Sequence, residues 1–301
     1  MGSRGLDLSA LPEDCIENVL SLSGPRDTCR LSVISSLFRS AAESDAVWQK
    51  YLPPDYRSII ARSADPSILT RFSSLKDLYF SLCDNPILID DAKLSFWLDK
   101  STGKKCYMLS ARNLVIVWGD TPRYWKWTSE PECRFGEVAE LIQVCWLEIR
   151  GKISASLLSP ATFYSAYLVF KSPTETYGFD YSPLDVSMGL AGAESPRRSV
   201  YLDSGRGRRR GYQTGRRRIG LVSRMFMSGM HAPGPVVESD GPYPRERKDG
   251  WFEIELGEFF NNEGEEGEIE MSVYEIKGGN WKGGLIVQGI EIRPKDKKGG
   301  S

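Results

Sequence analysis

The chain has 301 residues, 41% of them apolar and 26% charged, a composition typical of folded protein and a length suited to about two domains. Thirty-nine basic residues against 40 acidic ones leave a formal charge of −1, which excludes a global field drawing the chain to nucleic acid or anionic lipid. No apolar stretch approaches the roughly 18 residues of a membrane span.

The first residues, Met1-Gly2-Ser3-Arg4-Gly5-Leu6, hold no apolar core of signal-peptide length, and Leu6 stands where a myristoylation site needs Ser or Thr. No Asn-x-Ser/Thr acceptor occurs, so the expected location is the cytoplasm, the nucleus or both, with no membrane contact. Cys15, Cys29, Cys83, Cys106, Cys133 and Cys145 are scattered and read as reduced, mostly buried thiols rather than three disulfides. The single histidine, His231, lies in a Gly/Pro-rich stretch without partners for a zinc site. Neither metal nor cofactor is expected.

Residues 9–83 carry helical patterning. Pro12-Glu13-Asp14 suits a first helical turn, where the missing N–H costs nothing and the dipole favours carboxylates. Cys15, Ile16, Val19 and Leu20 form one helical face, and Gly24-Pro25 ends it. Leu31, Ile34, Leu37, Phe38, Ala41 and Ala42 keep helical spacing. Asp45 is placed to cap a short helix bearing Trp48, Tyr51 and Leu52, which Pro53-Pro54 stops. A further helix fits 66–83, with Ile68, Phe72, Leu75, Tyr79 and Leu82 along one side.

After Asp84-Asn85-Pro86 the period becomes two, which puts a domain boundary between 84 and 92. Leu114-Val115-Ile116-Val117-Trp118 reads as a strand covered on both faces. Phe252, Ile254 and Leu256 alternate with Glu253 and Glu255, and Ile269, Met271 and Val273 with Glu268, Glu270 and Ser272, as in strands with one dry face. Other strand candidates are 104–109, 142–150, 163–170, 199–203, 219–226 and 285–292, and many short strands between Gly/Pro turns indicate an antiparallel β-sandwich or barrel. The stretch 172–248 is insertion-like, rich in Gly, Pro, Ser and Arg. Within it, seven arginines occur between 206 and 218. They could serve RNA binding or nuclear import, but only Tyr212 interleaves as a stacking aromatic and Glu263, Glu265, Glu266, Glu268 and Glu270 can partly balance them, so a solvated loop is the preferred reading.

The ordered set Leu11-Pro12-Glu13-Asp14, Ile16, Val19-Leu20, Asp27, Leu31, Phe38-Arg39, Ala42, Asp45 and Trp48 resembles the F-box, a three-helix motif that docks on a Skp-family adaptor in Skp–cullin–F-box ubiquitin ligases. Three helices this short cannot bury all their apolar surface alone, so a partner's helices would cover the remainder. By position the resemblance implies Leu11, Pro12, Ile16, Leu20, Leu31, Leu37, Phe38 and Trp48 as docking residues.

Farther on come Ser110-Ala111-Arg112-Asn113-Leu114, Trp118-Gly119-Asp120-Thr121-Pro122-Arg123-Tyr124-Trp125-Lys126-Trp127, Cys145-Trp146-Leu147-Glu148-Ile149-Arg150-Gly151 and Asp249-Gly250-Trp251-Phe252. These resemble the plant phloem protein 2 family, which includes the jasmonate-inducible tobacco lectin, over about residues 93–295. The resemblance implies a sandwich that binds N-acetylglucosamine oligomers or N-glycan cores. A pyranose has an apolar C–H face and a hydroxyl edge, so its site needs an aromatic platform and fixed acceptors. Trp118, Trp125 and Trp127 are the candidate platform; the resemblance implies sugar contact by Trp118 and Trp125, with Glu268 and Glu275 as hydroxyl acceptors. Trp146, Trp251 and Trp281 are expected in the core.

The expected architecture is an F-box over 1–55, a helical linker over 56–92 and a lectin-like sandwich over 93–301. The function it implies is substrate recognition for a ubiquitin ligase, with an adaptor at one end, a glycoprotein at the other and no chemistry of its own. A glycosidase built on Glu268 and Glu275 is the enzymatic alternative, and a sandwich that binds protein without recognising sugar is the main rival.

Overall fold

The structure, a computed structural model, describes residues 12–173, 176–179, 183–202 and 243–295. Leu11, the arginine segment, His231 and the expected strand at 219–226 lie outside the described residues. Among the described residues seven short helices come first: α1 (Glu13–Ser23), α2 (Pro25–Leu31), α3 (Ser36–Glu43), α4 (Asp45–Tyr51), α5 (Tyr56–Ala61), α6 (Ile68–Arg71) and α7 (Leu75–Asp84). None is long and apolar enough to cross a membrane.

The helix ends follow local chemistry. Pro12 stands just ahead of α1, whose first turn holds Glu13 and Asp14, and Gly24-Pro25 separates it from α2 as expected. The run from Leu31 to Ala42 is not one helix. Ser35 caps α3 by accepting the Phe38 N–H at 3.3 Å, leaving Val33 and Ile34 in the intervening turn. The cap of α4 is Ser44 rather than Asp45, because its hydroxyl reaches the Ala46 N–H at 3.3 Å. Asp45 instead accepts the Leu75 N–H at 2.7 Å and so ties α4 to the first turn of α7. The expected helix at 66–83 is split, since Ser74 starts a new one by accepting the Asp77 N–H at 3.1 Å.

Fourteen strands follow among the described residues, all paired antiparallel. The larger sheet has nine: β1 (Ile87–Ile89), β2 (Leu94–Leu98), β3 (Lys105–Ser110), β14 (Ile286–Pro294), β8 (Thr162–Lys171), β12 (Phe252–Asn261) and β11 (Arg245–Glu246) in that spatial order, with β6 (Val138–Leu141) pairing β14 and β5 (Trp125–Thr128) pairing β6. The smaller sheet runs β10 (Arg197–Val200), β9 (Leu184–Leu190), β13 (Glu268–Glu275), β7 (Leu147–Ser154), β4 (Val115–Ile116). Alternating residues of the two sheets, Tyr107, Leu109, Leu168, Ile254 and Ile290 from one and Ile149, Met188, Ile269, Met271 and Val273 from the other, fill one core between them. At the bulge between Glu255 and Gly257 the sheets approach closely, and a Cβ on Gly257 would come within 2.8 Å of Met188 Cβ.

The expected buried strand at 114–118 is a correction: β4 spans only two residues and Val115 is exposed. A 3-10 turn at Ala111–Asn113 precedes it, and Trp118 adopts φ +60°, which ends the extended path.

The helices and the sandwich share the same core cluster, from Ile16 and Trp48 through Tyr79 to Phe96 and Tyr107. Arg62 pairs with Asp90, Lys105 Nζ lies 3.1 Å from Asp55 Oδ2, and the Tyr79 hydroxyl donates to the carbonyls of Asp99 and Lys100 at 3.2 Å. Gly103, at φ +71°, lets the β2–β3 turn touch the helices, since a Cβ there would sit 2.7 Å from the Tyr51 carbonyl oxygen. On the outer face of the larger sheet, Glu253 and Glu291 are held by Arg247 and Arg293, with Arg134 3.8 Å from Glu291. Burial alone would raise the Glu291 carboxyl; Arg247, Arg293 and Arg134 outweigh it and hold the group below its ordinary value.

Candidate functional site

In the helical layer, the docking residues expected from the sequence divide into two groups. Ile16, Leu20 and Trp48 are buried, and Trp48 donates its indole N–H to the Ala42 carbonyl at 2.7 Å and packs edge-on to Tyr51. They are core, because α1 turns that face onto α3 and α4. Pro12 is exposed, and Leu31, Leu37 and Phe38 are half-buried. The adjoining face of α1 stays open: Cys15, Val19 and Leu22 recur at i, i+4 and i+7, and Leu22 is 89% exposed. Val33 and Ile34 are also exposed, in the turn before α3. Five apolar residues in so small a helical layer therefore remain available to a partner, and the sequence reading picked only their neighbours. The missed signal is that α1 has apolar residues on two adjacent faces.

The five sugar-site candidates do not converge. Glu268 and Glu275 stand at opposite ends of β13, whose rise over seven steps separates them by roughly 24 Å. That is beyond the ~5–10 Å that paired glycosidase carboxylates need. Trp125 is 2% exposed and belongs to the core, so it offers no open platform. Trp127 is half-buried, donates to the Gly119 carbonyl at 3.1 Å and is covered by the Arg112 guanidinium at 3.7 Å from its ring. Glu268 is exposed and bound to Lys152 at 3.3 Å.

Trp118 alone of the three candidate tryptophans faces solvent, at 41% exposure. A bulky residue at positive φ is uncommon and costs energy. The turn that holds it there is closed by Gly119 N–H to the Ile116 carbonyl at 2.9 Å and Thr121 N–H to the Trp118 carbonyl at 2.8 Å. Its ring lies 5.0 Å from that of Tyr124, so the two form a paired aromatic surface.

Two tryptophans expected in the core, Trp146 and Trp281, are also exposed, whereas Trp251 is buried as expected. The Val117 N–H bonds the Glu148 carbonyl at 3.1 Å, and Val144 bridges Lys282. Trp118, Trp146 and Trp281 therefore all border the segment leading into β7. Next to Trp281 and the segment carrying Trp146, Lys282, with no exposed surface, forms an ion pair with buried Glu275 and donates to the carbonyls of Asn280 at 2.8 Å and Cys145 at 3.5 Å. Glu275 also accepts the Gly278 N–H at 3.1 Å. The expected acceptor is thus a buried anchor that joins the loops carrying Trp146 and Trp281. Nothing in the local sequence marks this pair, because its partners meet only through the tertiary bridge. Among the described residues, no group of three His, Cys, Asp or Glu side chains could hold a metal.

Known proteins resemble the chain along nearly all of its length. The profile described as Phloem protein 2 matches residues 104–294, and that of the F-box domain matches residues 8–50. An F-box protein of Arabidopsis thaliana is 49% identical over 284 residues, covering 94% of this chain and 79% of that one. The Arabidopsis thaliana F-box protein PP2-B1 is 44% identical, covering 97% of this chain and 91% of its own, and F-box protein PP2-B10 is 46% identical, covering 97% and 96%. A Podospora anserina β-(1,4)-mannanase aligns at a TM-score of 0.30 with 8% identity, over 64% of this chain and 28% of that one.

Proposed function

The chain belongs to the phloem protein 2 family, among its plant F-box proteins, and on that premise we propose that it is the substrate-recognition subunit of a Skp–cullin–F-box ubiquitin ligase. The exposed stripe of Cys15, Val19 and Leu22, with Val33 and Ile34 beside it, takes the Skp-family adaptor, and through it the cullin. Leu31, Leu37 and Phe38 complete the apolar contact. The sandwich captures a glycoprotein or an N-acetylglucosamine-containing glycan on the Trp118–Tyr124 surface. The ubiquitin carrier and its thiolate come from other subunits, and this chain contributes proximity by raising the local concentration of target lysines. The role would be exercised in the cytoplasm, the nucleus or both.

The observation that carries this reading is the open apolar face of α1. Leaving Leu22 and Val19 in water is unfavourable, and helix packing within the chain does not require it. Co-purification with a Skp-family adaptor tests the recruitment half, with Val19→Glu and Leu22→Arg expected to abolish it. Binding of full-length protein to arrayed glycans tests the capture half, with Trp118→Ala expected to weaken the signal.

A second reading has its own support. Trp125 and Glu275 are buried, so the sugar contacts that the family resemblance assigns to them are not open to a ligand. A sandwich that binds a protein partner would keep target capture in Trp118→Ala and give no signal on arrayed glycans.

A further inference from the structure

The outer face of the five-stranded sheet holds a cleft that the reading above does not use. Ile269, Met271 and Val273 of β13 point into the core, so Glu270, Ser272 and Tyr274 line the outer side. The register sets Ser187 beside Ser272, Arg197 beside Ser187, Lys152 beside Glu270 and Glu148 beside Tyr274. The hydroxyls of Ser187 and Ser272 bond at 2.6 Å.

The turn between β9 and β10 folds back over this face. A Cβ on Gly189 would crowd the Ser195 side chain, with its Cβ at 3.0 Å, so the glycine gives the turn room to approach. The Ala191 N–H, at the start of the turn, anchors to the Glu268 carbonyl at 2.8 Å. Turn and sheet enclose a cleft of about 780 Å³ lined by Ser187, Ser195, Arg197, Glu270, Ser272 and Tyr274.

The lining selects the ligand. Among the described residues around the cleft, Arg197 and neighbouring Lys152 roughly balance Glu270 and Glu194, so a polyanion such as a nucleic acid or a phosphate ester finds no cationic excess there. An apolar ligand would strip water from serine hydroxyls and a carboxylate without replacing those bonds. A neutral polyhydroxylated ligand matches all of it: serines and Arg197 donate, Glu270 accepts, and the Tyr274 ring can lie along a C–H face. The volume lies within the ~300–1,000 Å³ typical of small-ligand sites. Tyr274 shares its row with Glu148, whose carbonyl holds Val117, so the cleft opens about two strand spacings, roughly 10 Å, from the Trp118 loop.

We propose that this cleft is a second carbohydrate site, taking a short neutral glycan segment independently of Trp118. A multi-unit glycan that reaches both would be held at two points, which raises affinity and selects for length or branching.

Amide spectra of full-length protein titrated with triacetylchitotriose and, separately, with a mannose-type oligosaccharide test the proposal. With at least one probe, saturable shifts are expected at residues 187–197 and 270–274 in wild type and Trp118→Ala alike. Glu270→Gln and Tyr274→Ala should each weaken those shifts at least ten-fold in Kd, with melting temperature and the signals of residues 117–124 unchanged. Cleft amides that stay unmoved at saturating concentrations of both probes would overturn the proposal. So would shifts that vanish in Trp118→Ala yet survive Tyr274→Ala. Shifts at the cleft without any at residues 117–124 would refute the Trp118 site and leave this one standing.

Discussion

Replacing Lys282 with methionine tests whether the aromatic end of the sandwich is held by the buried ion pair. Lys282 has no exposed surface and Glu275 only 5%. In Lys282→Met the Glu275 carboxylate stays buried, still accepting the Gly278 N–H at 3.1 Å. Removing one member of a buried pair costs about 3–5 kcal/mol, a large part of the roughly 5–15 kcal/mol that keeps a protein folded. At about 2–4 °C per kcal/mol for chains approaching this size, the melting temperature should fall by roughly 6–20 °C. Calorimetry on the full-length protein reads the shift. The double variant Lys282→Met/Glu275→Leu leaves no unpaired charge and should recover at least half of the loss, because replacing both members of a buried pair is often near neutral. A fall below about 2 °C in the single variant, or a double variant worse than the sum of the singles, would refute the anchoring role.

Other expectations follow from the same geometry. Leu22→Arg should leave the melting temperature within about 2 °C while removing adaptor binding, since surface changes rarely exceed about 0.5 kcal/mol. Trp48→Ala, which empties a fully buried indole, should cost about 3–5 kcal/mol and lower adaptor binding only through unfolding; thermal melts alongside the pull-down separate the two. Gly103→Ala forces a Cβ against the Tyr51 carbonyl at positive φ and should destabilise helices and sandwich together, read as one cooperative transition with a lowered midpoint; two separate transitions would contradict the shared core. The Glu291 carboxyl, depressed in the folded chain, contributes stability that is present above its ordinary value of 4.5 and lost as pH falls through the folded value. Melting temperature should therefore drop as pH falls below 4.5, with a shallower slope in Glu291→Gln.

Much of the architecture was legible where one physical signal dominated. Pro12-Glu13-Asp14 marked the start of α1, Gly24-Pro25 its end, and the alternation through Phe252–Leu256 and Ile269–Val273 gave β12 and β13 with the correct dry faces. Misreadings arose where two signals competed. Ser44 and Asp45 can both cap, and the contact of Asp45 with Leu75 decides between them only in three dimensions. The run Leu114–Trp118 is apolar throughout, yet the positive φ of Trp118 turns its ring outward. Trp118 and Trp125 look alike in sequence, and only the pairing of β5 with β6 seals the second. Trp146 and Trp281 carry the same indole as buried Trp251, and residue type alone says nothing about burial in a loop. The cleft over β13 was invisible because its lining comes from three strands and a turn.

The central claim is that one chain joins a ligase adaptor to a glycan. It is tested most directly by loading a bead-bound Skp-family adaptor with full-length protein and adding serum albumin conjugated to triacetylchitotriose. The conjugate should be retained, be released by excess free triacetylchitotriose, be absent with Leu22→Arg, which loses the bead, and be reduced with Trp118→Ala, which keeps it. Protein held on the adaptor that passes the conjugate through, at concentrations where Trp118→Ala behaves the same, would contradict the claim.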